Sequence, residues 1–420
     1  MPSGQVHLKF FVHALLIPPL ATFWLWWSGS WFSVGSIPPM SPLFADLHGP
    51  LSWLECLYQG VEAASIGACD PYGRAFNYGP GILWLAPLGL APQHANLLAI
   101  SLLASFFGLS AWVIRPATYS ELLIYLLMAL SPAFVLAYER ANLDLLMAVT
   151  IGAAAVVAGY AGRRGPIAAW LLWVFATSIK LYPAAALPAL LHRRWQSAAG
   201  KWIGFAALVY LGAFVSSNWQ LLQEILGNMP QPELLRDRYV VGGPGIMEFF
   251  IPGGDLRQMI SLSAGSAAIL AFWILPAMRT PNASDTQKRL FLVGATCWIG
   301  TFLPAMNFSY RAVLLIWTLP HLFAVGADCR MSPARRISAK LIPIALILGA
   351  NGPPWITRWL SALADQGGVG AGEAFLARNG MLLSQVIAWA ATLWLLRATV
   401  SLLREDLELV SSRLANPGWR

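Results

Sequence analysis

Residues 119–160 read YSELLIYLLMALSPAFVLAYERANLDLLMAVTIGAAAVVAGY. Two apolar runs flank one polar segment, Glu139-Arg140-Ala141-Asn142-Leu143-Asp144. Neither run shows the period-two alternation of a half-buried strand, and each is about long enough to cross roughly 30 Å of hydrocarbon as a helix. The stretch predicts a helical hairpin in a membrane, turning on ionisable residues that hydrocarbon tolerates only where they serve a purpose.

The rest of the 420-residue chain has the same character: 57% of it is apolar and 11% charged, with a mean hydropathy of +0.60. A soluble domain carries about a quarter charged residues, so the soluble classes are excluded. Continuous apolar runs, in place of alternating ten-residue strands, exclude a barrel. Marking runs of about twenty residues gives spans at 10–30, 94–114, 119–138, 143–161, 166–179, 181–192, 198–217, 263–279, 290–306, 311–327, 339–351 and 381–403. The fold class expected is therefore an all-α polytopic membrane protein of about 11 to 13 spans, with 29 Pro breaking or kinking them. The first run has only Lys9 before it, contains Pro18-Pro19 and ends in Trp24, Trp26 and Trp27, so it reads as a retained helix and not a cleaved leader.

Most of the 27 Lys and Arg, among them Arg115, Arg164, Arg193, Lys288, Arg335 and Arg404, fall between spans on one side. The positive-inside rule then puts both termini in the cytoplasm, and the net charge of +8 reflects topology and not a nucleic-acid partner. No internal repeat or second domain is visible: residues 1–420 read as one polytopic domain with outer loops at 31–93, 218–262 and 352–380 and a cytoplasmic tail at 404–420. Loops that long are usually functional. In the first, Leu51, Leu54, Leu57, Tyr58 and Val61 recur at helical spacing and predict a helix lying on the membrane surface. Tyr78 to Leu85 predicts a second juxtamembrane element, and Trp24, Trp26, Trp27, Trp31 and Trp53 are expected to anchor the region at the interface.

No phosphate-cradling Gly loop, zinc-binding His-Glu-x-x-His or Gly-x-Ser-x-Gly elbow is present, so neither cofactor nor metal is expected. What remains is ionisable groups at the outer helix ends. Asp46 is either a general base at the membrane boundary or a cap for the helix after it. Asp70-Pro71-Tyr72 reads as a turn. Arg140 pairs with Glu139 or with a substrate phosphate, while Asn142 or Asp144 caps the following span. Lys180 precedes Leu181-Tyr182-Pro183, a helix break whose freed backbone would line a cavity, and it either snorkels or meets an anionic headgroup. Arg311 holds a similar position and has forked donors that suit phosphate. Arg236 and Arg238 are weaker candidates. Cys56 and Cys69 share the first loop, and a disulfide between them is left open by their spacing; Cys297 and Cys329 read as inert thiols.

Phe44-Ala45-Asp46-Leu47, Gly67-Ala68-Cys69-Asp70-Pro71-Tyr72, Phe76-Asn77-Tyr78-Gly79-Pro80, Glu139-Arg140-Ala141-Asn142-Leu143-Asp144, Lys180-Leu181-Tyr182-Pro183 and Asn307-Phe308-Ser309-Tyr310-Arg311 occur in this order. Together they resemble the pattern of glycosyltransferase family eighty-seven, which includes polyprenol-phosphate-mannose-dependent mannosyltransferases of the GT-C superfamily. The resemblance spans about residues 10–330. It implies a GT-C-like bundle that transfers a sugar, such as mannose, from a polyprenyl-phosphate donor to a lipid or glycan acceptor at the outer face of a bacterial inner membrane. It also implies Asp46 as the base of an inverting transfer and Lys180, Arg140 and Arg311 near the donor phosphate. Substrate contacts are implied at His48, Asn77 and Tyr78, at Glu139, Asn142 and Asp144, and at Tyr182, Asn307 and Tyr310. Here Gly79-Pro80 stands where relatives often have Pro-Pro or Tyr-Pro. The rival from another class is a secondary transporter or a flippase for a lipid-linked or anionic substrate, which would also need broken helices and intramembrane charge.

Overall fold

The computed structural model describes residues 3–29, 41–62, 67–74, 76–160, 164–193, 197–227, 240–244, 256–269, 281–304, 306–364 and 371–415. Trp31, Arg236, Arg238 and the second half of the expected span 263–279 lie outside these. The described chain is helical apart from one ribbon, in which β1 (Val240–Gly242) pairs antiparallel with β2 (Met306–Phe308).

Among the described residues, five helices are long and apolar enough to cross a membrane: Leu8–Ser28, Pro92–Ile114, Gly200–Ser217, Ser309–Ala327 and Asn379–Glu408. A sixth crossing forms if Tyr119–Ala129 and Pro132–Arg140, bent by 51° at the break before Pro132, count as one. The protein is thus a helical membrane protein, with fewer full-length crossings among the described residues than the apolar runs suggest. The difference has local causes. Leu143–Val157, Arg164–Ile179 and Tyr182–Leu191 are apolar but short, and Asp285–Phe302 carries Asp285, Lys288 and Arg289 in its first turns. The loop expected at 352–380 is largely helix, since Pro333–Ala364 runs through its first half and Ala371–Ala415 begins before its end.

Helices apolar on all sides face lipid on the outside of such a fold and one another within it. Leu16, Leu20, Trp24 and Trp27 of the first helix are exposed, whereas Phe10, Ala14 and Leu25 are buried. The interior is aromatic: Phe106 contacts Phe134, Tyr138 and Trp317, and Trp317 donates from Nε1 to the Ala148 carbonyl at 2.9 Å. That indole bond satisfies a polar atom that hydrocarbon would otherwise leave stranded.

The first-loop helix, α1 (Ala45–Tyr58), begins six residues before the expected apolar pattern and is drawn into the protein. Its Asp46, Leu51, Trp53 and Leu54 are buried, so its apolar face packs on the protein. Trp53 is 1% exposed and packs its ring on Phe76 at 4.9 Å and Tyr78 at 5.6 Å. It is a core residue and not an interface anchor, because the helix that carries it turns inward. The 3-10 helix Pro80–Leu88 is too short to cross. It lies against the helix α2 (Arg164–Ile179), where Gly79 N–H donates to the Ile179 carbonyl at 2.7 Å.

Candidate functional site

Asp46 sits in the first turn of α1 but does not cap it; Phe44 occupies the cap position without a side-chain bond. Instead Asp46 Oδ2 accepts from Asn142 Nδ2 at 2.8 Å, and Oδ1 accepts from Arg74 Nη1 at 3.2 Å. Phe44 and Ala141 both adopt left-handed backbone, with φ of 63° and 45°. Each costs about 1–2 kcal/mol for a residue bearing a Cβ. Ala141 ends the helix Pro132–Arg140 abruptly, and Phe44 N–H donates to the Glu139 carbonyl at 3.1 Å. These two turns aim Asp46 and Asn142 at each other.

Asn142 serves both carboxylates of the site. Its Oδ1 accepts the Asp144 N–H at 2.9 Å, capping the helix Leu143–Val157, while its amide nitrogen holds Asp46. Asp144 is fully enclosed and central to a second cluster. Its Oδ1 accepts from Tyr182 Oη at 2.8 Å and from Lys180 Nζ at 2.5 Å, and its Oδ2 faces Arg311 Nε at 3.6 Å. Lys180 is available because α2 stops at Ile179 and a 3-10 turn, Tyr182–Ala186, follows. The Lys180 ammonium also lies 5.1 Å from the Tyr78 ring centre, and the Arg311 guanidinium 5.6 Å from that of Tyr182. Arg140 Nε is 3.8 Å from Glu139 Oε2. Tyr310 lies within the fields of Asp46, Asp144, Arg311 and Arg140, which joins the two clusters into one region.

Exposure separates the two carboxylates. The Asp144 side chain is 0% exposed and that of Asp46 10%, while Arg311 and Arg140 are open at 24% and 23%. Asp144 is a sealed counter-charge that fixes Lys180, Tyr182 and Arg311. Asp46 is the more exposed of the two carboxylates.

The remaining expected residues divide. His48 and Asn77 are half-buried, and among the described residues neither hydrogen-bonds either carboxylate. The backbone of Asn307 pairs with Val241 in the ribbon. Cys56 and Cys69 are joined by a disulfide.

Arg74 and Asp70 were missed. Arg74 Nε donates to Asp70 Oδ2 at 2.8 Å, and the Tyr72 N–H donates to Asp70 Oδ1 at 2.9 Å. The turn at Asp70 was legible, but the Asp46 partner of Arg74 lies 28 residues away. The one sequence signal was a lone cation four residues after an aspartate in an acidic loop. Burial works against the Arg74 charge, but the Asp70 hydrogen bond and the Asp70 and Asp46 charges outweigh it, so Arg74 is held above its usual value.

No protein-family model, curated protein or solved structure matches the chain. The likeness to glycosyltransferase family eighty-seven therefore rests on the quoted motifs alone.

Proposed function

We propose that this protein is an integral-membrane glycosyltransferase of GT-C type, taking a polyprenyl-phosphate-linked sugar and passing it, with inversion, to a lipid or glycan acceptor. The observation that carries the reading is the slightly exposed carboxylate of Asp46 in one region with the partly exposed cations Lys180 and Arg311, whose shared counter-charge, Asp144, is sealed. The motif order supports it. The charge asymmetry of the loops supports a site on the extracytoplasmic face of a bacterial inner membrane.

In this scheme the acceptor hydroxyl gives its proton to Asp46, and its oxygen forms a bond to the anomeric carbon from the face opposite the phosphate. The carbon–oxygen bond to phosphate breaks, and its electron pair stays on the departing polyprenyl phosphate. Lys180, Arg311 and Arg140 stabilise the charge that grows there, in a place where water screens it poorly. Tyr78, Tyr182 and Tyr310 supply ring faces and hydroxyls that suit a sugar. Asn142, held by its cap, keeps Asp46 turned toward the cations.

The test incubates membranes bearing wild type or Asp46→Asn with radiolabelled polyprenyl-phosphate sugars and follows label into glycoconjugate. Loss of a general base costs about a hundred- to ten-thousand-fold in rate. Full transfer by the Asn variant removes Asp46 from the role. Lys180→Gln is expected to raise the donor concentration needed, and an unchanged dependence counts against its phosphate contact. The helix pair bent by 51° favours the second reading, transport or flipping of a lipid-linked anion. Wild type that moves no sugar from any donor yet translocates it supports that reading.

A further inference from the structure

Arg74 forks between two carboxylates, Asp70 through Nε at 2.8 Å and Asp46 through Nη1 at 3.2 Å. Asp70 follows Cys69, which is bonded to Cys56, and Cys56 lies near the far end of the helix whose first turn carries Asp46. The loop thus closes on itself, by a covalent bond at one end of α1 and by an ion pair at the other. Gly49 lies one turn along α1 from Asp46, and a Cβ there would collide with Arg74 Nη2.

We propose that Arg74 is the positioning residue of Asp46 and that Asp70 and the Cys56–Cys69 bridge act through it, an inference that rests on the reading of Asp46 as the base. A carboxylate turns freely about two side-chain bonds, so an unfastened Asp46 spends little time aimed at an acceptor hydroxyl. Arg74 and Asn142 take one lone pair from each oxygen and leave the other pair of each for substrate. A guanidinium suits the place because separate nitrogens of one rigid fork reach Asp70 and Asp46, whereas an ammonium must serve both from a single nitrogen. The bridge fixes where the Asp70 turn sits and so where the fork points.

Two readouts on the full-length protein test this. The first is labelling of Asp46 by dicyclohexylcarbodiimide, read by mass spectrometry; the reagent must reach a carboxyl oxygen, and Arg74 and Asn142 cover one side of each. Arg74→Gln removes one of the two hydrogen bonds and is expected to speed labelling by roughly three-fold or more. Reduction of wild type with dithiothreitol, which leaves two thiols and the cyclic disulfide of the reagent, moves it the same way. Reduction adds nothing in Arg74→Gln. Equal Asp46 labelling in oxidised wild type and Arg74→Gln overturns the proposal, and wild type indifferent to reduction overturns the part given to the bridge. The second readout is sugar transfer from polyprenyl-phosphate mannose. Arg74→Gln lowers kcat about ten- to a hundred-fold at unchanged donor KM, as misplacement of a reacting group does, and Arg74→Lys restores only part. A wild-type kcat in Arg74→Gln sinks the positioning role. Wild type that transfers nothing while its labelling still responds to Arg74→Gln sinks the glycosyltransferase reading and leaves the clamp standing.

Discussion

At Gly49 a methyl group would meet Arg74 Nη2, the far end of a flexible side chain, and not backbone. Alanine is the better helix former by about 1 kcal/mol, so α1 keeps the new Cβ and Arg74 gives way. Gly49→Ala is therefore expected to hold or raise the thermal midpoint in detergent while sugar transfer falls; a full rate with an unmoved midpoint contradicts the account. At this scale the sequence was half legible. Asp46, Asp144, Lys180 and Arg311 could be found because charge in an apolar chain is costly and sits where it is used. Their pairing could not be found. Asp46 sat at a helix start and so resembled a cap, yet both its oxygens go to residues brought in from other segments. Nothing local distinguishes those outcomes.

The elements that hold the site are short and meet without intervening side chains. Gly79 and Gly81 let the 3-10 helix Pro80–Leu88 touch the end of α2, where an added Cβ would collide with the Ser178 carbonyl and the Ser178 side chain respectively. At Gly79 the obstacle is backbone and cannot move aside. Gly79→Ala is expected to cost about 1–3 kcal/mol, as overpacking does, and to displace Lys180, which follows Ile179 directly. Thermal unfolding and donor KM read the two effects, and a wild-type value in both denies the contact its importance. The break at Lys180-Leu181-Tyr182-Pro183 was readable from the proline and the lone charge. The inward turn of α1 was not, because an amphipathic pattern fits a membrane surface and a protein groove equally well, and only the burial of Trp53 and Leu54 decides between them.

Over the whole molecule the spans were visible as composition, but their true lengths were not, since apolar runs do not show where a helix bends or stops. Past the opposite end of the helix Leu143–Val157 from Asn142 lies another charged assembly. Gly159 lies against Thr286 and Arg289, Lys288 Nζ donates to both Glu405 oxygens at 3.0 Å, Arg193 reaches Asp285 and Glu405 at 3.2 Å, and His192 Nδ1 meets Asp406 Oδ2 at 2.7 Å. Beside it Asp328 is held well below the usual carboxylate range by the Arg330 side chain and by the Asn282 and Arg330 N–H groups. A folded value below the unfolded one contributes stability above the unfolded value and loses it as pH falls toward the folded one. The thermal midpoint of wild type is thus expected to exceed that of Asp328→Asn by a constant margin from neutral pH to about 4.5 and by less below it. A margin that grows on acidification contradicts the sign. The assembly at Glu405 and Asp406 has a consequence for how this protein can diverge. Because the C-terminal helix is moored to earlier segments and not to the loop that bears Asp46, that loop can change its sequence without unmooring the scaffold. Variation among descendants of this chain should then gather around residues 41–94, sparing Asp46, Arg74 and Asn142.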